Sequence, residues 1–201
     1  ATSIDELKAA AGDMGNLIRS LYAQGVKVRF AMDLLAALNK RLMSKLFNLV
    51  VPESVLPHVC LVMMGSEGRG EQIVRIDQDN GLIMRDSLDW PECQQTMEYY
   101  TQTLVDLGYP RCPGQVMVNN PFWVQPLSEW TQRMRDWVAK ADSDSLLNLA
   151  ISIDAHAVAG NKALFKTSRN WLLRELQQQQ RFLTSFAEVA LGFETPVNLR
   201  G

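Results

Sequence analysis

Between Pro52 and Pro57 the hydrophobic period of the chain changes, and this change constrains the fold more than any single motif. Upstream, Ile4, Leu7, Ala11, Met14, Leu17, Ile18 and Leu21 recur at helical spacing, the stripe of a helix that buries one face. Ser3 stands where its hydroxyl can accept from the first free N–H groups. Gly25 interrupts the pattern, and a second helix from Val28 to Val50 carries Leu34, Leu35, Leu38, Leu42 and Leu46 on one side. The two prolines end it, since proline lacks the N–H that the helix ladder requires. Downstream, "HVCLVMM" is a short continuous apolar run closed by glycine, which predicts a strand buried on both faces. "GLIMR" after Asp79 predicts a second strand.

The pattern then alternates. Pro91 opens a helix with Met97, Tyr100, Leu104 and Leu107 at helical spacing, stopped by Gly108. "YPRCPGQVMVNNPFWVQP" reads as a long connection with four prolines and a short strand at "QVMV". Ser128 is expected to cap a helix bearing Trp130, Met134 and Trp137, and "SLLNLAISID" to contain a further buried strand ending at Asp154. A last helix, from about Lys162 to Leu191, carries Leu164, Trp171, Leu172, Leu176 and Phe182. The fold class is therefore α+β: a mixed sheet with flanking helices, an N-terminal helical hairpin and a long C-terminal helix. By segments, residues 1–52 form the hairpin, 53–160 the α/β core, and 161–201 a helical segment that begins a further domain. A start without Met and a stop at "NLRG" read as a piece of something longer.

Charge and cysteine usage exclude several classes. With 20 basic and 22 acidic residues the net charge is −2, so a general nucleic-acid coat is excluded, although a local basic groove is not. Cys60, Cys93 and Cys112 are odd in number and widely spaced, the usage of reduced thiols in a cytoplasmic protein. His58 and His156 are the only histidines, too few for a structural zinc site without clustered cysteines. No apolar run approaches the ~18 residues of a membrane span, and no signal-peptide core is present.

The stretch "MGSEGRGEQIVRIDQDNGLIM" carries the chemistry. A Walker loop is excluded because Glu71 follows Gly70 where lysine belongs. A dinucleotide fingerprint fails at Ile73, and a calcium loop starting at Asp77 fails at Leu82 and Leu88. Two readings stand. In one, Asn80-Gly81 is a two-residue hairpin turn between "IVRID" and "LIMRD", with Asp77 and Asp79 solvated at its edge. In the other, the segment through Asp79 is extended, so both carboxylates share one face of a sheet. A divalent cation between them, preferably Mg²⁺ with Mn²⁺ as an alternative, would relieve their repulsion. Gly65 and Ser66 would offer bare N–H groups and a hydroxyl to phosphate, with Arg69 and Arg75 neutralising the remaining charge.

The pattern Gly65-Ser66, ten residues, then Asp77-x-Asp79 resembles the signature of the DNA polymerase β-like nucleotidyltransferase superfamily. More closely, "GSEGRGEQ…DQDN" resembles the nucleotidyltransferase-like domain found in bacterial proteins beside cyclic-nucleotide-binding and CBS domains. That domain is similar to the catalytic domain of PII-protein uridylyltransferase. "GYPRCPGQVMVNNPFW", "SEWTQRMRDWV" and "ISIDAHAVAG" follow the same order of segments. The resemblance implies a nucleotidyltransferase-like mixed sheet and a Mg²⁺-dependent transfer of a nucleoside monophosphate from a triphosphate to a protein or small-molecule acceptor, within a signalling protein. It implies that Gly65, Ser66 and Arg69 hold phosphate, that Asp77 and Asp79 bind the metal, and that Asp154 completes the set. For Asp154 a helix N-cap before "AHAVAG" is the other reading. Gln78 and Asn80 replace the apolar residues usual in that pattern, and His156 stands where arginine is expected. These departures leave open a catalytically weak or inactive nucleotide-sensing domain, or a structural module in which the glycines only connect. Asn119 and Asn120 could line a pocket, whereas His58 reads as structural. The amphipathic hairpin could pair with a second copy, and a monomer is equally compatible.

Overall fold

A computed structural model describes residues 2–65 and 78–178. The hairpin forms as expected: α1 spans Ile4–Ala23 and α2 spans Val28–Val50. Ser3 accepts from the Glu6 N–H at 3.2 Å, satisfying one of the donors that a helix start leaves free. Then come β1 (Val59–Met63), β2 (Asn80–Met84), α3 (Cys93–Asp106), β3 (Val124–Pro126), α4 (Leu127–Lys140), α5 (Ser143–Ile153), β4 (His156–Gly160) and α6 (Lys162–Gln178). The class is α+β, with a mixed four-stranded sheet flanked by helices.

The sheet runs β3-β2-β1-β4. β1 pairs antiparallel with β2, Met63 opposite Asn80 and Val59 opposite Met84. On its other side β1 pairs antiparallel with β4, Met63 opposite His156, with an irregularity between Leu61 and Val62. β3 runs parallel to β2. Every residue of β1 is buried, as an apolar run without alternation requires of a central strand. Its alternation divides the core in two. Val59, Leu61 and Met63 join Leu7, Leu35, Phe47, Met97 and Tyr100 of α1–α3. Cys60, Val62 and Met64 join Trp130, Met134, Leu149 and Leu172 of α4–α6. The molecule is thus three layers, with the sheet in the middle.

Several expectations are corrected. Of the two readings of the Asn80-Gly81 pair, the hairpin turn fails: both residues lie inside β2, opposite Met63 and Val62. No strand occupies "SLLNLAISID"; it is helix α5, started by Asp142, whose carboxylate accepts from the Ser145 N–H at 2.8 Å. Ser145, Leu146, Leu149 and Ser152 make its buried face at helical spacing, and a short apolar run cannot by itself distinguish helix from strand. The strand comes afterwards, so Asp154 is the C-cap residue of α5 rather than the end of a strand or an N-cap. "QVMV" is not a strand either. Gln115 has φ 54°, incompatible with extended geometry, and the segment bonds to the edge of β2 through Asn80. Ser128 does not cap α4. Pro126 holds the N-cap place, while the Ser128 N–H and hydroxyl both donate to Asp86 Oδ1 at 2.9 and 2.8 Å. The acid that terminates α4 therefore comes from the turn after β2.

A buried polar contact ties α2 to the segment that follows α3. The fully buried Tyr109 donates through its hydroxyl to Asn39 Oδ1 of α2 at 2.6 Å. Tyr109→Phe removes this bond and should cost about 1–2 kcal/mol, measured by denaturant titration. Among the described residues no helix is long and apolar enough to cross a membrane.

Candidate functional site

Three segments meet at one end of the sheet. β1 leaves it through Met64 and Gly65, β2 enters through Asp79, and β4 enters through Ala155 beside Asp154. The Met64 N–H donates to the Asp79 carbonyl at 2.9 Å, extending the β1–β2 ladder by one bond. Gly65 has φ 59°, and a Cβ placed on it would stand 2.5 Å from Asp79 Oδ2. Only glycine lets the carboxylate rest against the main chain there. Two residues singled out in the sequence are thus brought into contact by strand pairing.

The neighbours of Asp79 explain why the apolar residues of the related pattern are replaced. Gln78 and Asn80 are fully buried and point toward the α1–α3 face, so Asp79 between them points the other way. Gln78 donates from its amide to the carbonyls of Thr101 and Tyr109 at 3.2 and 3.0 Å, and from its N–H to Pro110 at 3.0 Å. The Asn80 N–H donates to Val116, and Asn80 Oδ1 accepts from the Val118 N–H, both at 2.9 Å. The two amides therefore clasp the 109–118 connection against the strand that carries Asp79.

That clasp brings Cys112 onto Asp79. The buried thiol hydrogen-bonds to the Asp79 carboxylate. Burial pushes Cys112 up to about 11, and the Asp79 charge pushes the same way. Cys60 and Cys93 are also raised to about 11 by burial, from the ordinary 9.0. The sign follows from linkage. These thiols keep their protons in the fold after an unfolded chain has lost them. Their contribution to stability is complete below pH 9 and is lost as the pH rises toward 11. Chemical denaturation between pH 9 and 11 should show stability falling as the pH rises. Alkylation of the native thiols should stay slow at pH 8 compared with the denatured chain.

Beside Cys112 opens a pocket of about 530 Å³, lined also by Arg111, Met117, Asn119 and Asn120. The two asparagines therefore line a pocket, as read from the sequence. Glu98 accepts from Arg111 at 2.6 Å and from the Asn119 amide at 2.9 Å. Arg111 first, then Asn119, holds the Glu98 carboxyl below its usual range. Cys112 itself carried no sequence signal as a neighbour of Asp79; only the prolines around it marked the connection as stiff.

Asp154 lies at the same end of the sheet but on the far side of β1 from Asp79. β3, the strand next to β2 on its other side, reads Val-Gln-Pro and supplies no carboxylate. Ser66, Arg69, Glu71, Arg75 and Asp77 fall outside the described residues. Among the described residues no three His, Cys, Asp or Glu side chains gather closely enough to hold a metal ion. Asp79 contributes hard oxygen donors next to the Gly65 main chain, a donor type that suits Mg²⁺ together with phosphate oxygens.

The family model described as "Putative nucleotidyltransferase DUF294" matches residues 12–144, more than half of the chain. The match takes in Gly65, Asp79 and the Cys112 connection, and stops before Asp154 and β4. Searches of curated proteins and of solved structures gave no match. The chain belongs to this nucleotidyltransferase-like family.

Proposed function

We propose that the Gly65–Asp79 corner seats the triphosphate and divalent cation of a nucleoside triphosphate. The protein would transfer the nucleoside monophosphate to a hydroxyl of a protein or small-molecule acceptor. The observation that carries this reading is the Asp79 carboxylate resting on the Gly65 main chain at the end of the sheet. Asp77 and Asp79 would hold Mg²⁺, or Mn²⁺ in its place, with Asp154 as the candidate third ligand. When bound, the cation would neutralise phosphate charge and acidify the attacking hydroxyl. The chain's own residues would do the positioning. Gly65 admits phosphate oxygens to the backbone, Ser66, Arg69 and Arg75 add donors, and the Cys112 connection covers one side of Asp79. In this proposal the domain serves a bacterial, cytoplasmic signalling protein similar to PII-protein uridylyltransferase. Cyclic-nucleotide-binding or CBS domains would accompany it, and the hairpin is a candidate homodimer contact.

A second reading, a nucleotide sensor without turnover, is favoured by one observation. The strand beside β2 has no acid, and Asp154 stands across β1 from Asp79. Calorimetric titration of each nucleoside triphosphate with and without Mg²⁺ tests both readings. Binding with pyrophosphate release that disappears in Asp77→Ala supports the enzyme, and binding without release supports the sensor. Absence of Mg²⁺-dependent binding for every triphosphate rejects both.

A further inference from the structure

β4 is the outer strand of the sheet: it pairs with β1 on one side and, among the described residues, with no strand on the other. A strand edge carries a row of N–H and C=O groups that pairs readily with another backbone, so natural sheets block it with proline, charge or a covering element. The run Ala157-Val158-Ala159-Gly160 contains neither proline nor charge. What flanks it is charge of one sign.

α2 lies on one face of the sheet and α6 on the other, and both pack against β4. α2 carries four Lys or Arg side chains against the single acid Asp33. α6 carries four against the single acid Glu175. The whole chain has 20 basic and 22 acidic residues, so the cationic excess is concentrated in these two helices. Among the described residues none of their Lys or Arg side chains is ion-paired. Lys40 of α2 also senses Lys162 at the start of α6. Burial first, then the Lys162 charge, holds the Lys40 ammonium below its ordinary value. Lys162 follows Gly160 by two residues, and Lys166 and Arg169 continue its side of α6 at helical spacing. Cations therefore reach the Gly160 half of β4 from both faces of the sheet.

We infer that the 157–160 edge receives an extended, acidic segment of a protein partner as a further strand, with Asp or Glu side chains of that segment against Lys40 and Lys162. Charge complementarity selects the partner. A second copy of this chain suits the edge poorly, because pairing β4 with β4 would set like charges together. Nucleic acid or anionic lipid would satisfy the cations but offers no N–H and C=O groups at strand spacing. Asp154 stands before β4, so the acids of the partner belong over the Gly160 half. This surface is separate from Gly65 and Asp79 and does not depend on their role.

The test is fluorescence anisotropy of the full chain with a labelled peptide of Glu-Glu-Val-Val repeats, which places acids on both faces of a strand. Three further probes are the Lys-Lys-Val-Val counterpart, the acidic peptide with its amides N-methylated, and a thymidine oligonucleotide. Lys40→Gln and Lys162→Glu, checked for folding by thermal melting, remove the cations one at a time. The acidic peptide should bind and its lysine counterpart should not. Each variant should weaken the acidic peptide about 10-fold. N-methylation, which keeps the charge and removes the backbone donors, should weaken it by about 10-fold or more. Absence of binding by the acidic peptide, or unchanged affinity in Lys162→Glu, overturns the inference. So does an N-methylated peptide that binds as well as the parent, or an oligonucleotide that binds more tightly than the peptide.

Discussion

Asp79→Asn should lower Mg²⁺-dependent affinity for a nucleoside triphosphate by about 100-fold while leaving the chain folded. The substitution keeps the side chain's shape and removes one negative oxygen. The Asp79 backbone is anchored by its neighbours: its carbonyl accepts from the Met64 N–H, and Gln78 and Asn80 fix the chain on both sides. The melting temperature should therefore move by less than about 5 °C. A hundredfold loss corresponds to about 2.7 kcal/mol, well above the worth of an exposed ion pair. Titration of wild type and variant with and without Mg²⁺ checks the claim, because the loss should vanish when Mg²⁺ is omitted. An equal loss in both conditions would make Asp79 a structural acid.

Gly160→Ala should be the most destabilising small substitution among the described glycines, at about 3 kcal/mol or more. Gly160 has φ 74° at the end of β4, and a Cβ there would drive into the Val59 carbonyl oxygen. That carbonyl already accepts from the Asn161 N–H at 2.7 Å. Asn161 in turn anchors the strand by donating to Pro57 and starts α6 by accepting from the Ala163 N–H. Relief of the clash would part β1 from β4 at the point where α6 begins. Gly25 supplies the control, since its φ is also 74° but nothing lies within 4 Å of its would-be Cβ. Gly25→Ala should cost only the left-handed backbone strain, about 1 kcal/mol. Denaturant titration of the two variants separates conformational strain from collision.

What could be read from the sequence followed from periodicity and punctuation. The α1 and α2 stripes, the Ser3 cap and the β1 run each carry a local physical signal, and each is where that signal puts it. The errors arose where two elements share one composition. "LLNLAISI" is apolar enough for a buried strand, and the Asp142 cap that decides for helix α5 lies upstream of the run. The Asn80-Gly81 pair is a strong hairpin signal locally, yet Asn80 is spent on a tertiary bond to Val118 and Gly81 packs under Trp130 and Trp123. In the candidate site, Gly65 and Asp79 were legible because glycine and carboxylate carry their chemistry on their face. Cys112, Gln78 and the Tyr109–Asn39 link were not, because their roles depend on a long connection folding back over the sheet.

In the proposed function, strand pairing builds a phosphate and metal seat from Gly65 and Asp79. A crystal structure of the protein grown with Mg²⁺ and a slowly hydrolysed nucleoside triphosphate tests it most directly. The cation should sit on an Asp79 oxygen, with phosphate oxygens on the main chain from Gly65 onward. Nucleotide density at another surface, with the Asp79 carboxylate still turned onto the Cys112 thiol and the sheet end vacant, would contradict it.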